Sequence, residues 1–192
     1  MEDLVRKRID EAIEAHRKFC EKNSQILIQV SMAIIEAFRK GNKLLLFGNG
    51  GSAADAQHIA SEFVNRFSIN RGPLPAIALT TDSSVITSIS NDDSFSEIFR
   101  RQIKAMGKKG DIAWAISTSG KSENVLNGLI AARDEGLITI AMTGMDGGTI
   151  GTIADFHLHV ESMSVPRIQE VHITAGHIIC EMVDIIYLKE NS

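Results

Sequence analysis

At 192 residues, 44% of them hydrophobic, the chain (1–192) fits a single domain with a core of ordinary size and is too apolar to be disordered. A formal net charge of -4 gives no electrostatic footprint for nucleic acid, and the basic pairs Arg100-Arg101 and Lys108-Lys109 read as solvated faces. The N-terminus mixes both charge signs on an amphipathic helical pattern without the apolar centre of a leader, and no stretch reaches the length of a membrane span. Cys20 and Cys180 lie far apart and read as buried free thiols, so the expected compartment is the cytoplasm, with no membrane and no nucleic acid as partner.

Apolar periodicity predicts two helices first, residues 3–21 and 24–40, the second closed by Gly41-Asn42. This N-terminal helical hairpin stands outside the alternation that follows. It either finds its partner on another copy of the chain or covers the sheet of its own subunit. Short apolar runs at 43–47 (KLLLF), 75–79 (PAIAL), 111–116 (DIAWAI), 137–142 (LITIAM) and 156–160 (FHLHV) then alternate with helical patterns at 53–68, 84–106 (broken near Asn91-Asp92) and 123–135. A last helix is expected over 167–189, apolar around much of its circumference. Continuous apolar strands between helices imply an α/β, three-layer sandwich on a parallel sheet, with ligands at the carboxyl ends of the strands.

Those ends carry the chemistry. The first strand breaks into Gly48-Asn49-Gly50-Gly51-Ser52, a Gly-rich turn opening a helix, where free backbone N–H groups favour an anion. The same helix sets His58 and Glu62 four residues apart on one face, an imidazole and a carboxylate suited to proton transfer or metal binding. The third strand runs into Ser117-Thr118-Ser119-Gly120-Lys121-Ser122, four hydroxyls at a helix N-terminus that suit a phosphate; Ser122 also reads as a helix N-cap. A Walker A loop would need Gly where Ala115 stands. Gly48, Gly50 and Ala53, with Asp82, match a dinucleotide fingerprint loosely and leave the hydroxyl-rich loop unexplained. On the last helix Gln169 and His177 are offset by about 80° and can border one cleft, while His172 points elsewhere. His157 and His159 alternate along a strand and read as structural; Asn91-Asp92 is a turn or a substrate contact, and Arg66 is surface or reaches an anion.

Taken together, GNGGSAADAQH at 48–58, NDDSF at 91–95, ISTSGKS at 116–122, TGMDGG at 143–148 and RIQEVHI at 167–173 resemble the sugar isomerase (SIS) domain family, and within it the phosphoheptose isomerases, over nearly the whole chain. The resemblance implies a five-stranded parallel sheet in a homotetramer whose active sites draw on more than one subunit. It also implies aldose-ketose isomerisation of sedoheptulose 7-phosphate to D-glycero-D-manno-heptose 7-phosphate, for ADP-heptose and lipopolysaccharide or another surface polysaccharide. Asn49, Gly50, Gly51, Ser52, Asn91, Asp92, Ser117, Thr118, Ser119, Ser122 and Gln169 match the family's sugar-phosphate positions. His58, Glu62, Gln169 and His177 match its zinc ligands, one zinc per subunit, and Glu62 and His177 its proton-transfer residues. Non-catalytic relatives that associate with the bacterial replication initiator lack the acid and the imidazole matching Glu62 and His177; this chain has both.

Overall fold

The computed structural model describes residues 1–191, with side chains as far as Lys189. Five strands, β1 (Leu44–Gly48), β2 (Ala76–Ala78), β3 (Ile112–Ser117), β4 (Ile138–Thr143) and β5 (Phe156–His159), pair only in parallel, in the order β2-β1-β3-β4-β5. Every residue of β1 and β3 is buried, which is why their sequences run apolar without alternation. Leu44, Leu46, Ile112, Trp114 and Ile116 face α1 (Glu2–Arg39), α2 (Gly51–Val64) and α7 (Val165–Asn191). Leu45, Phe47, Ala113 and Ala115 face the opposite layer, built from α3 (Ser83–Asp92), α4 (Ile98–Met106), α5 (Glu123–Asp134) and α6 (Gly148–Ile153). The expected break near Asn91-Asp92 is present as the end of α3 followed by a 3₁₀ turn at Phe95–Glu97.

The N-terminal hairpin is corrected. Residues 2–39 form one continuous helix, about 57 Å long at the ordinary rise. Residues 22–23 hold neither Gly nor Pro, and the polar residues there bond backwards within the helix instead of capping it. Ser24 Oγ donates to Cys20 O, and Asn23 Nδ2 donates to Phe19 O at 3.0 Å. Asn23 also donates to His159 O at 3.2 Å and accepts from His159 N at 3.3 Å, closing the open edge of β5 as another strand would. Cys20 proves exposed, whereas Cys180 is buried, and burial pushes its thiol pKa well up. The absence of any span-length segment is also corrected, since Val165–Lys189 is long and apolar enough by composition. Much of that apolarity is spent on the core, through Ile168, Val171, Ala175, Ile179 and Val183.

The loop after α2 is fixed by a buried ion pair. Arg71 Nε donates to Asp184 Oδ1 at 2.6 Å, with the two side chains 1% and 0% exposed. The same guanidinium donates to Glu62 O and Phe63 O, both at 2.9 Å, satisfying carbonyls that the end of α2 leaves open. Asp184 Oδ2 accepts from Ser68 N at 3.0 Å, Ser68 Oγ at 3.3 Å and Ile69 N at 3.3 Å, so both charges are hydrogen-bonded as well as paired. Asp184→Asn strands the guanidinium in the core and should cost about 3–5 kcal/mol, read as a lowered urea midpoint.

His172 is equally buried. Its Nε2–H donates to Thr143 O at 3.2 Å, Nδ1 has no partner, and burial lowers its pKa to about 4. The folded state therefore keeps the ring neutral where the unfolded chain protonates it near its ordinary pKa of about 6.5. Stability from this group is fully present above about pH 6.5 and falls as pH drops towards 4, by on the order of 3 kcal/mol. Urea titrations at pH 7 and pH 4.5 should show a smaller acid loss in His172→Gln than in the parent chain.

Candidate active site

The strand order reverses at β1, which has β2 on one side and β3 on the other, so the carboxyl ends of β1 and β3 open a crevice between their loops. Gly48 pairs with Ile116, which puts the loop at 48–52 beside the loop at 117–122. The two are tied by a reciprocal amide pair: Asn49 Nδ2 donates to Asn124 Oδ1 at 2.8 Å and Asn124 Nδ2 returns to Asn49 Oδ1 at 2.9 Å. Asn124 was not among the expected residues; its signal was an amide in the first turn of a helix, where a side chain reaches the neighbouring loop.

Within the second loop, Ser117 Oγ donates to Ser122 Oγ at 3.2 Å, so Ser122 stands at the N-cap of α5 but makes no side-chain cap bond. Gly120 N closes a turn onto Ser117 O at 3.1 Å, and Ser119 Oγ accepts from Lys121 N at 3.1 Å. The TGMDGG segment braces this loop from behind. Gly144 N donates to Thr118 O at 3.1 Å, and Gly120, at φ +65°, lies so close to Gly147 that a Cβ there would sit 2.1 Å from the Gly147 carbonyl oxygen. Lys121 Nζ is paired with Asp146 at 2.6 Å. The loop's capacity for an anion therefore rests on hydroxyls, backbone N–H groups and the N-terminus of α5.

The second constellation lies between α2 and α7. His58 Nε2 is 3.2 Å from Glu62 Oε1 and 3.4 Å from His177 Nε2, and one donor atom from each residue falls within 4.8 Å of the others. The imidazoles meet edge to face at 4.9 Å, and Phe67, which the sequence did not single out, lies 5.4 Å from the His177 ring at 32°. Two imidazole nitrogens and a carboxylate are a borderline donor set. A tetrahedral ion with bonds of about 2.0–2.1 Å would space its ligands about 3.3 Å apart, close to the His58–Glu62 and His58–His177 separations, with Glu62 and His177 having to draw together.

Gln169 comes from the same helix as His177, about two turns nearer its N-terminus. Its amide occupies the space that a Cβ on Gly51 would fill, at the opening turn of α2. His58 is seven residues further on, about 10 Å along the helix axis. Ser52 is buried behind the same turn, and Gly50 is the N-cap of α2. Asn91 and Asp92 are exposed at the end of α3, where Asn91 Nδ2 donates to Asp92 Oδ1 at 2.9 Å. Arg66 is exposed. His157 and His159 are structural as expected, bonded to Thr143 Oγ1 at 2.6 Å and Met145 O at 3.1 Å. Asp82 caps α3 by accepting from Val85 N at 3.0 Å, which engages the acid that the dinucleotide reading needed.

A family model described as a SIS domain matches residues 9–144. A phosphoheptose isomerase of Aquifex aeolicus is 51% identical over 184 residues, 96% of each chain. Among solved structures, a phosphoheptose isomerase from Neisseria gonorrhoeae superposes with a TM-score of 0.90 at 37% identity, covering 95% of this chain and 98% of that one. One from Francisella tularensis gives 0.91 at 36%, covering 95% and 97%. With this fold, these loops and these relatives, the chain belongs to the SIS domain family and, within it, to the phosphoheptose isomerases.

Proposed function

We propose that the chain interconverts sedoheptulose 7-phosphate and D-glycero-D-manno-heptose 7-phosphate, supplying the heptose of lipopolysaccharide or another surface polysaccharide. The observation that carries this reading is the convergence of His58, Glu62 and His177, an acid-base and metal-ligand set, on the helix that opens from the crevice. Isomerisation moves one proton between adjacent carbons and one between their oxygens, and the C–H beside a carbonyl is a poor acid. Glu62 takes that proton, and His177 serves the oxygens as the enediolate forms and collapses. Ser117, Thr118, Ser119 and Ser122 anchor the distant phosphate, whose binding energy positions the reacting end. Asn49, Gly50, Gly51 and Ser52 shape the crevice, with Gln169 beside Gly51 as a sugar contact. Asn91 and Asp92 complete the sugar site from an exposed position.

His58, Glu62 and His177, with Gln169 as the family's fourth ligand position, would hold zinc, one per subunit. A bound zinc ion supplies Lewis acidity towards the carbonyl oxygen. The assembly is a homotetramer with sites shared between subunits. Leu4, Val5, Ile9 and Ile13, exposed at 46%, 62%, 57% and 51%, give α1 an apolar stripe suited to another copy. Exposed Cys20 suits a reducing compartment, in keeping with a cytoplasmic enzyme.

Incubation with sedoheptulose 7-phosphate, followed by NMR, should yield heptose 7-phosphate, with activity lost to a chelator and restored by zinc. Glu62→Gln should lower kcat by about 10²–10⁴-fold while sugar-phosphate binding persists by calorimetry. Near-normal turnover in that variant would remove Glu62 as the base. Gly120→Ala drives a methyl group into the Gly147 carbonyl and should lower kcat/KM on the order of a hundredfold, with circular dichroism unchanged.

A further inference from the structure

Positions 51, 55, 58 and 62 of α2 fall at the i, i+4, i+7, i+11 spacing of a single helical stripe. At the ordinary turn per residue, Asp55 and Glu62 lie about 60° and 40° around the axis from His58. This is the stripe that α2 turns towards the site: Gly51 lies under the Gln169 amide, and His58 and Glu62 meet His177. Asp55 stands between these two groups and belongs to neither.

Its environment is unusual. Oδ2 is enclosed and has no hydrogen-bond partner. Enclosing a carboxylate oxygen without a donor is costly, and here burial raises the pKa while only the His58 charge opposes it. Among the described residues no Lys or Arg pairs with it. His58 is half-exposed; its Nε2 faces both Glu62 and His177, which leaves Nδ1 free of protein hydrogen bonds among the described residues. Helical side chains lean towards the N-terminus, so the His58 ring leans back towards the turn that carries Asp55.

A metal-binding imidazole almost always donates its second ring N–H to a carboxylate, carbonyl or water, which fixes the tautomer and the ring plane. We propose that Asp55 is the positioning residue for His58, accepting Nδ1–H when Nε2 is engaged and so holding the Nε2 lone pair on the Glu62 and His177 side. The inference rests on the reading of His58 as a metal ligand. The structure has the two groups as neighbours, one turn apart on one stripe and not hydrogen-bonded to each other, with Asp55 Oδ2 enclosed and unpartnered. Asp55 touches neither substrate nor metal in this role; it acts through His58.

The test uses the full chain and zinc alone, titrated against a chromogenic chelator, with ring ¹⁵N shifts of His58 recorded in parallel. Asp55→Ala should bind zinc about 10–100-fold more weakly than the parent chain, and Asp55→Asn, which keeps an acceptor oxygen, should recover part of the loss. The metal-free parent should show His58 protonated mainly at Nδ1, and the metal-free Asp55→Ala variant a mixture of tautomers. Unchanged circular dichroism and thermal midpoint show that each variant is folded. Equal zinc affinity and an unchanged tautomer in Asp55→Ala would overturn the proposal while leaving the metal reading intact. Unchanged affinity with an altered size-exclusion mass would also overturn it, assigning Asp55 to a contact between copies. Zinc binding that is absent from the parent chain, or that survives His58→Ala, would remove the metal reading beneath it.

Discussion

The buried Arg71–Asp184 pair fixes the relation on which the candidate site depends, that of α2 to α7. The last turn of α2 leaves carbonyls open that need donors, and those of Glu62 and Phe63 face the buried side of the following loop. Arg71 supplies them to Glu62 O and Phe63 O, and a guanidinium can do so in a dry interior only if a carboxylate balances its charge. That carboxylate, Asp184, comes from α7, seven residues beyond His177 and so on nearly the same side of that helix. The requirement that terminates α2 therefore also sets Glu62 in register with His177. Their geometry is held by core contacts and not by the ligand, which is the preorganisation that proton transfer at a weak carbon acid needs.

At the other end of α2 the constraint is the sheet. Parallel pairing of Gly48 with Ile116 brings the two loops together, and the Asn49–Asn124 amide pair keeps them from sliding. Behind them Gly144, Gly147 and Asp146 brace the hydroxyl-rich turn. Lys121 pairs with Asp146 at the exposed rim, while the loop itself offers an anion backbone N–H groups and hydroxyls held by the turn. Such donors read shape and position more sharply than a mobile ammonium would.

The sheet was legible because five apolar runs of strand length, each bounded by turn residues, have few other buried solutions. The His58-Glu62 pair was legible because helical spacing alone puts residues four apart together. Three features were not. The continuity of α1 turns on Asn23, which looks like a helix stop until its partner across the fold, the backbone of His159, is known. The approach of the Gln169 amide to Gly51 depends on how α7 packs over the first turn of α2, which is not local in sequence. Arg71 and Asp184 are separated by more than a hundred residues, and each alone looks like an ordinary surface charge.

The same geometry bears on the proposal that one carboxylate, Glu62, serves as both ligand and base. Glu62 is 22% exposed at its side chain and turns Oε1 towards His58. A carboxylate carries two oxygens and about four lone-pair sites, so engaging Oε1 does not exhaust it. Oε2 makes no hydrogen bond to the protein among the described residues, and the backbone of Glu62 is pinned through its carbonyl by Arg71. In the proposed roles, ligation through one oxygen and proton abstraction through the other would require only that the side chain stay in place. The buried ion pair beneath Glu62 is what keeps its backbone there.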